Sequence, residues 1–115
     1  ISMSKTAFSN IERCAIWTSY KQNCFYCNQL IDWNSLNIDH LIPEFIVNIP
    51  KRFEQLKVDY GLEKNFDING LYNLVPTHSK CNSRKSDLIF DKRVMLFYLA
   101  ISKQKAPLRV LFLRS

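Results

Sequence analysis

Apolar residues recur along this chain at spacings that alternate between helical and extended periods, and the changes mark its elements. Ser9-Asn10-Ile11-Glu12 has the form of a capping box, and Ile11, Cys14, Ala15 and Thr18 then share one helical face. A short strand is expected near Leu36 to Asp39. Pro50 is placed to open a helix and Gly61 to close it, with Phe53, Leu56 and Tyr60 along one side. Asn73 to Val75 reads as a second strand, followed by a short helix from about Ser79 to Asp87. Asp91 is placed to cap a last helix, whose Val94, Phe97, Tyr98 and Ile101 form a stripe expected to face the core. Leu108 to Leu113 is apolar for a chain end and fits a strand or a stump left by excision. No repeat or linker is evident, and this order of elements predicts an α+β fold.

Length and charge narrow the class. A chain of 115 residues suits one domain, 1–115, with one modest core. Ile1-Ser2 ahead of Met3 leads us to expect a longer native protein. Gly61 and Gly70 are the sole glycines, so this is no flexible low-complexity segment. Lys and Arg outnumber Asp and Glu by 16 to 10, a balance that favours a polyanionic partner. No run reaches transmembrane length and no signal peptide opens the chain, so no membrane is expected. The expected setting is cytoplasmic and reducing.

The cysteines then add chemistry. Cys24-Phe-Tyr-Cys27 and His78-Ser-Lys-Cys81 are two ligand pairs, each with two residues between its members. Soft sulfur and imidazole donors in two short knuckles suit a tetrahedral structural zinc. Disulfides would explain the thiols but not His78, and no βαβ pattern surrounds Cys24 and Cys27 as a redox pair would need. Cys14 is left over and reads as a small buried hydrophobe. A zinc tying Cys24 and Cys27 to His78 and Cys81 would pin together short elements that bury little surface, because in such sites binding free energy is largely folding free energy.

A second set has different chemistry. Asp39 offers a carboxylate oxygen and Asn82 an amide oxygen, hard donors suited to Mg2+ or Mn2+. His40 beside them can accept a proton from water near neutral pH. On a regular strand Asp39 and His40 point to opposite sides, so a turn there is expected to bring both to one substrate. Each residue also has a plain alternative: Asp-His before Pro often ends a strand, Asn82 can cap a helix and Asn73 can form a turn. Lys80, Arg84 and Lys85 share a short helix that could neutralise phosphates or simply form a solvated basic face.

Asp39-His40-Leu41-Ile42-Pro43, Asn73-Leu74-Val75-Pro76 and Cys81-Asn82-Ser83-Arg84-Lys85, in this order between zinc pairs, resemble the HNH endonucleases. The resemblance covers roughly Cys24 to Lys85. It implies a ββα-metal (His-Me finger) core with a zinc knuckle site and additional helices around it. It further implies metal-dependent hydrolysis of DNA, with RNA less favoured. His40 would be the general base, Asn73 the residue that orients the loop carrying it, Asp39 and Asn82 the ligands of a catalytic divalent ion. Arg84 and Lys85 would contact nucleic acid, Lys85 matching the family's lysine. Two departures stand out. Glu44 to Tyr72 form an insert without a glycine pair, with Lys51 and Arg52 at its helix start. Asn82 stands where many members have His, which favours Mg2+ or Mn2+ over softer ions. The rival expectation is a non-catalytic zinc module that binds nucleic acid or protein. Oligomeric state stays open, and a further domain or partner could supply specificity.

Overall fold

Helix α1 (Asn10–Ser19) starts where the sequence places its cap. Ser9 Oγ accepts the Glu12 amide at 3.1 Å, and Glu12 Oε1 accepts the Ser9 amide at 3.0 Å. Such a cap is worth about 1 kcal/mol. A computed structural model describes the protein over residues 7–85 and 89–114, with side chains as far as residue 108. The buried side of α1 differs from the expected one: Ala15, Ile16 and Ser19 are inside, whereas Ile11 is 62% exposed and Thr18 is exposed. Cys14 is half-buried, its sulfur 3.8 Å from Thr18 Oγ1, and not a core residue. Long-range bonds set this rotation. Arg13 donates to Leu36 O at 2.9 Å and Trp17 Nε1 to Ile31 O at 2.9 Å, which turns Ile16 towards the strands. After α1, Lys21 (φ 55°) and Gln22 (φ 65°) adopt the left-handed region and reverse the chain. Each costs about 1–2 kcal/mol of backbone strain.

Strands β1 (Leu36–His40) and β2 (Leu74–His78) pair antiparallel, with Leu36 opposite His78 and His40 opposite Leu74. Side chains alternate between the faces of a strand. Leu36, Ile38 and Leu74 join Ile16, Cys24 and Ile31 in one cluster. On the other face Val75 packs with Leu41, Ile42, Ile46, Leu56, Ile68 and Met95 in a second. Residues of both clusters thus flank the pair, and β1 alternates, with Leu36 and Ile38 towards the first cluster and Asn37 and Asp39 towards the side of the second.

The stretch between the strands holds a 3-10 turn at Glu44–Asn48 and helix α2 (Pro50–Asp59). Pro50 opens α2 and Gly61 closes it at φ +65°. The amides of Gly61 and Leu62 return to Val58 O (3.2 Å) and Lys57 O (2.8 Å), a Schellman motif that only a left-handed residue allows without strain. A second 3-10 turn, Leu71–Asn73, leads into β2, and α3 (Ser79–Lys85) follows directly and packs on both strands. The expected continuation of α3 to Asp87 lies outside the described residues.

Asp91 caps α4 (Lys92–Arg114), its Oδ1 accepting the amides of Arg93 (2.9 Å) and Val94 (3.3 Å). This helix takes in Leu108 to Leu113, so the chain end is helical and not a strand. Its inner side is also rotated from the expected stripe. Met95, Ser102 and Ala106 are buried, Val94, Tyr98 and Ile101 are half-buried, and Phe97 is 63% exposed. Tyr98 explains the shift by standing edge-on to Phe25 and Phe90, with ring centroids 5.0 and 5.1 Å away. Helix α4 packs along α1 and against the Leu71–Asn73 turn. Among the described residues, no helix is long and apolar enough to cross a membrane.

Candidate functional site

Cys24, Cys27, His78 and Cys81 converge although 51 residues separate Cys27 from His78. Their ligand atoms all lie within 4.8 Å of one another, and the Cys27 sulfur is 3.3 Å from His78 Nδ1. Local structure builds both halves. The Asn28 amide bonds Cys24 O at 2.9 Å with Asn28 in the left-handed region (φ 60°), a conformation asparagine tolerates. An Asn23–Leu30 bridge closes the base of this knuckle, and the Phe25 amide donates to Pro76 O at 2.9 Å, fastening it to β2. His78 ends β2 and Cys81 lies in the first turn of α3, so the strand-to-helix junction delivers the second pair.

The donors fit a tetrahedral zinc. His78 Nε2 lies 2.9 Å from Leu30 O, a partner that can only accept, so Nε2 carries the proton and Nδ1 is left to ligate. Zn–S bonds of about 2.3 Å put neighbouring sulfurs roughly 3.8 Å apart, so the four atoms need close in only slightly. The thiols are electrostatically at odds without a cation. A hydrogen bond from the Gln29 backbone pulls Cys27 down to about 7, whereas burial and the neighbouring thiols Cys24 and Cys27 push Cys81 up to about 11. A divalent cation removes that opposition by stabilising every thiolate at once. Among the described residues no other group of three or more His, Cys, Asp and Glu side chains converges in this way.

Asp39 lies in the same strand as Leu36 but close to its other end, and it is buried, at 4% exposure. Tyr26, a residue inside the first knuckle, donates to Asp39 Oδ2 at 2.7 Å. Lys85 Nζ stands 3.3 Å from Oδ2 and 3.5 Å from Oδ1, and it also donates to the carbonyl of His40. Burial raises the Asp39 carboxyl above the usual range; Lys85 is the main counterweight, then the Tyr26 hydroxyl, with His40 adding a smaller pull. Tyr26 is itself pushed up by burial and by Asp39, which keeps it a neutral donor. Lys85, expected at a phosphate, is instead buried and committed to Asp39, because a buried carboxylate draws the nearest cation. Arg84 and Lys80 are the exposed cations of α3. Asn82 is buried on α3, an element that packs against β1.

The pairing of β1 is unbroken through His40, so the expected turn between Asp39 and His40 is absent and the chain turns only after His40. His40 accordingly faces the Leu36–Ile38–Leu74 side and Asp39 the Val75 side. The His40 ring is buried beside Phe8, at a centroid distance of 6.1 Å, and its Nε2 is 2.7 Å from Asn69 Oδ1 and 3.9 Å from Glu44 Oε2. Asn73, fully buried, clamps the turn that follows. Its Oδ1 accepts the Ile42 amide (2.8 Å), and its Nδ2 donates to Ile42 O (2.9 Å) and Ile68 O (2.8 Å). Its own carbonyl takes the Leu41 amide at 2.9 Å.

Sequence reasoning did not single out Tyr26, Asn69 or Glu44. The last two lie in the Glu44–Tyr72 insert, which folds back onto His40 from both of its ends. Only the position of Tyr26 between two candidate ligands could have drawn notice. Comparison of the chain with protein-family models, with curated proteins and with solved structures finds no match to any of them.

Proposed function

We propose that the protein is a metal-dependent endonuclease of the HNH type, built on a ββα-metal core around a structural zinc at Cys24, Cys27, His78 and Cys81. The observation that carries this reading is the Asn73 clamp. Its side chain ties both backbone groups of Ile42 to the entry of β2, immediately after Asp39-His40. A fully satisfied carboxamide there holds rigid the exit of the strand that bears the reactive pair.

Each residue then has a task. His40 takes the proton of the attacking water, and Asn73 orients the backbone that carries it. Asp39 and Asn82 would hold one Mg2+ or Mn2+, which supplies charge stabilisation for the phosphate and the leaving oxygen. Such an ion would compete with the Lys85 ammonium for Asp39. Arg84, with Lys80 beside it, offers charge for the DNA backbone, in keeping with the surplus of 16 basic over 10 acidic residues.

Two observations favour the rival, a zinc module that binds nucleic acid without cutting it: Lys85 and Tyr26 already satisfy Asp39 internally, and Asp39 and His40 point to opposite faces of β1. The two readings part on His40→Ala. If His40 is the base, single-turnover cleavage of plasmid DNA falls by about two to four orders of magnitude while DNA affinity and zinc content hold. Wild-type protein that binds DNA and leaves it intact, with His40→Ala indistinguishable from it, establishes the binding module instead.

A further inference from the structure

We propose that Asn69 is a positioning residue that fixes the tautomer of His40, so that Nε2 holds the proton and Nδ1 is the basic atom. The inference deepens the nuclease reading and rests on it for its consequence in catalysis. Asn69 Oδ1 lies 2.7 Å from His40 Nε2, a short bond, and His40 is only 3% exposed, so water does not compete freely for that nitrogen. Glu44 Oε2, at 3.9 Å, is beyond hydrogen-bond range and does not compete for the proton of a neutral ring. Nδ1 has no hydrogen-bond partner among the described residues, so it is the ring nitrogen whose lone pair is not already engaged.

The turn that presents Asn69 is braced on all sides. The Gly70 amide returns to Asp67 O at 2.9 Å and the Asn69 amide to Asp67 Oδ1 at 2.9 Å. Ile68 O is gripped at 2.8 Å by the same Asn73 side chain that fixes the turn after His40. A Cβ at Gly70 would meet Asp67 O at 3.0 Å, so the turn is as tight as glycine permits. Asn73 thus holds His40 and the group that orients it in one frame. An imidazole in the wrong tautomer offers an N–H where a base is needed, and a neutral amide prevents this without adding charge.

The test is long-range 1H–15N NMR of the histidine side chains in the zinc-loaded full chain, with His78 as the internal reference. Wild type should show His40 as a single Nε2–H tautomer, Asn69→Leu a mixture, and Asn69→Asp, which keeps the acceptor but adds charge, the Nε2–H form wherever the ring is neutral. Single-turnover cleavage should fall about 10- to 100-fold in Asn69→Leu, the range for an outer group that orients a working side chain, at unchanged DNA affinity. A wild-type His40 protonated on Nδ1, or a tautomer indifferent to Asn69→Leu, overturns the proposal. A tautomer that obeys Asn69 in a protein that never cuts DNA supports the positioning role and refutes the nuclease reading, so the two failures are distinct.

Discussion

At one end of the β1–β2 pair, three thiols and an imidazole converge with no Lys or Arg bonded to them among the described residues; towards the other, a buried carboxylate has Lys85 beside it. The two clusters share an element, since Tyr26 sits between two ligands of the first and donates to Asp39 of the second. Their electrostatics differ all the same. The thiol cluster cannot be fully ionised without a cation from outside, whereas Asp39 has its counter-charge covalently built in. From this we expect the first to require metal for folding and the second to be stable without it.

The largest expected effect comes from breaking the thiol cluster. Structural zinc supplies about 10–16 kcal/mol of apparent binding free energy, as much as the whole stability of a small domain. Cys24→Ser or Cys81→Ser should therefore abolish cooperative unfolding, and elemental analysis of the wild type should find about one zinc per chain. Metal-free protein that melts like the wild type would refute the assignment. Acid should act in the same direction. The folded value of Cys27 is lowered to about 7, so its thiolate contributes above the ordinary thiol range and is lost as pH falls through that value. Zinc competition with a chelator should accordingly shift towards release below about pH 7.

Next in size is Lys85→Met, which strands the Asp39 carboxylate in the interior. Both side chains are 4% exposed, so removing one partner should cost about 3–5 kcal/mol, measured by denaturant unfolding with zinc held constant. The double variant with Asp39→Asn should recover most of that loss, because the stranded charge is gone. The sign of the pH dependence sharpens the point. Burial raises Asp39, so its proton is held more tightly in the folded state, and stability from that group is lost as pH rises through the raised value. In Lys85→Met, with the counterweight removed, this decline should be steeper and reach to higher pH than in the wild type.

A smaller effect is expected for Tyr26→Phe, which deletes one hydrogen bond to a charged acceptor, about 1.5–3 kcal/mol. Its zinc content should stay unchanged. Loss of zinc from this variant would show that the two clusters are one cooperative unit.

The same contrast explains what was legible in the sequence. The thiol cluster is announced by two pairs with fixed short spacing, because a tetrahedral metal imposes that spacing on the chain. The two strands, the Ser9 capping box and the Pro50–Gly61 helix are local patterns of the same kind. The faces of α1 and α4 were not legible. Ile11 and Ile16 are equally apolar, and Phe97 is more apolar than Tyr98 yet more exposed; what selects between them is contact with Leu36, Ile31, Phe25 and Phe90 from elsewhere. Lys85 illustrates the limit most clearly. A lysine beside Arg84 reads as part of a basic surface, and only the fold shows that Asp39, 46 residues away, claims it. Asn69 was hidden for the same reason, since no spacing rule links it to His40.

The most direct test of the nuclease reading, and of two metals with separate duties, is single-turnover cleavage of supercoiled plasmid by protein carrying zinc alone, zinc with added Mg2+ or Mn2+, and no metal. Folded zinc protein should be inactive until Mg2+ or Mn2+ is added, and mild chelation should then stop cleavage before the protein unfolds. Cleavage that is unaffected by removing every exchangeable ion, or a zinc protein that binds DNA and cuts it with no divalent metal supplied, would contradict it.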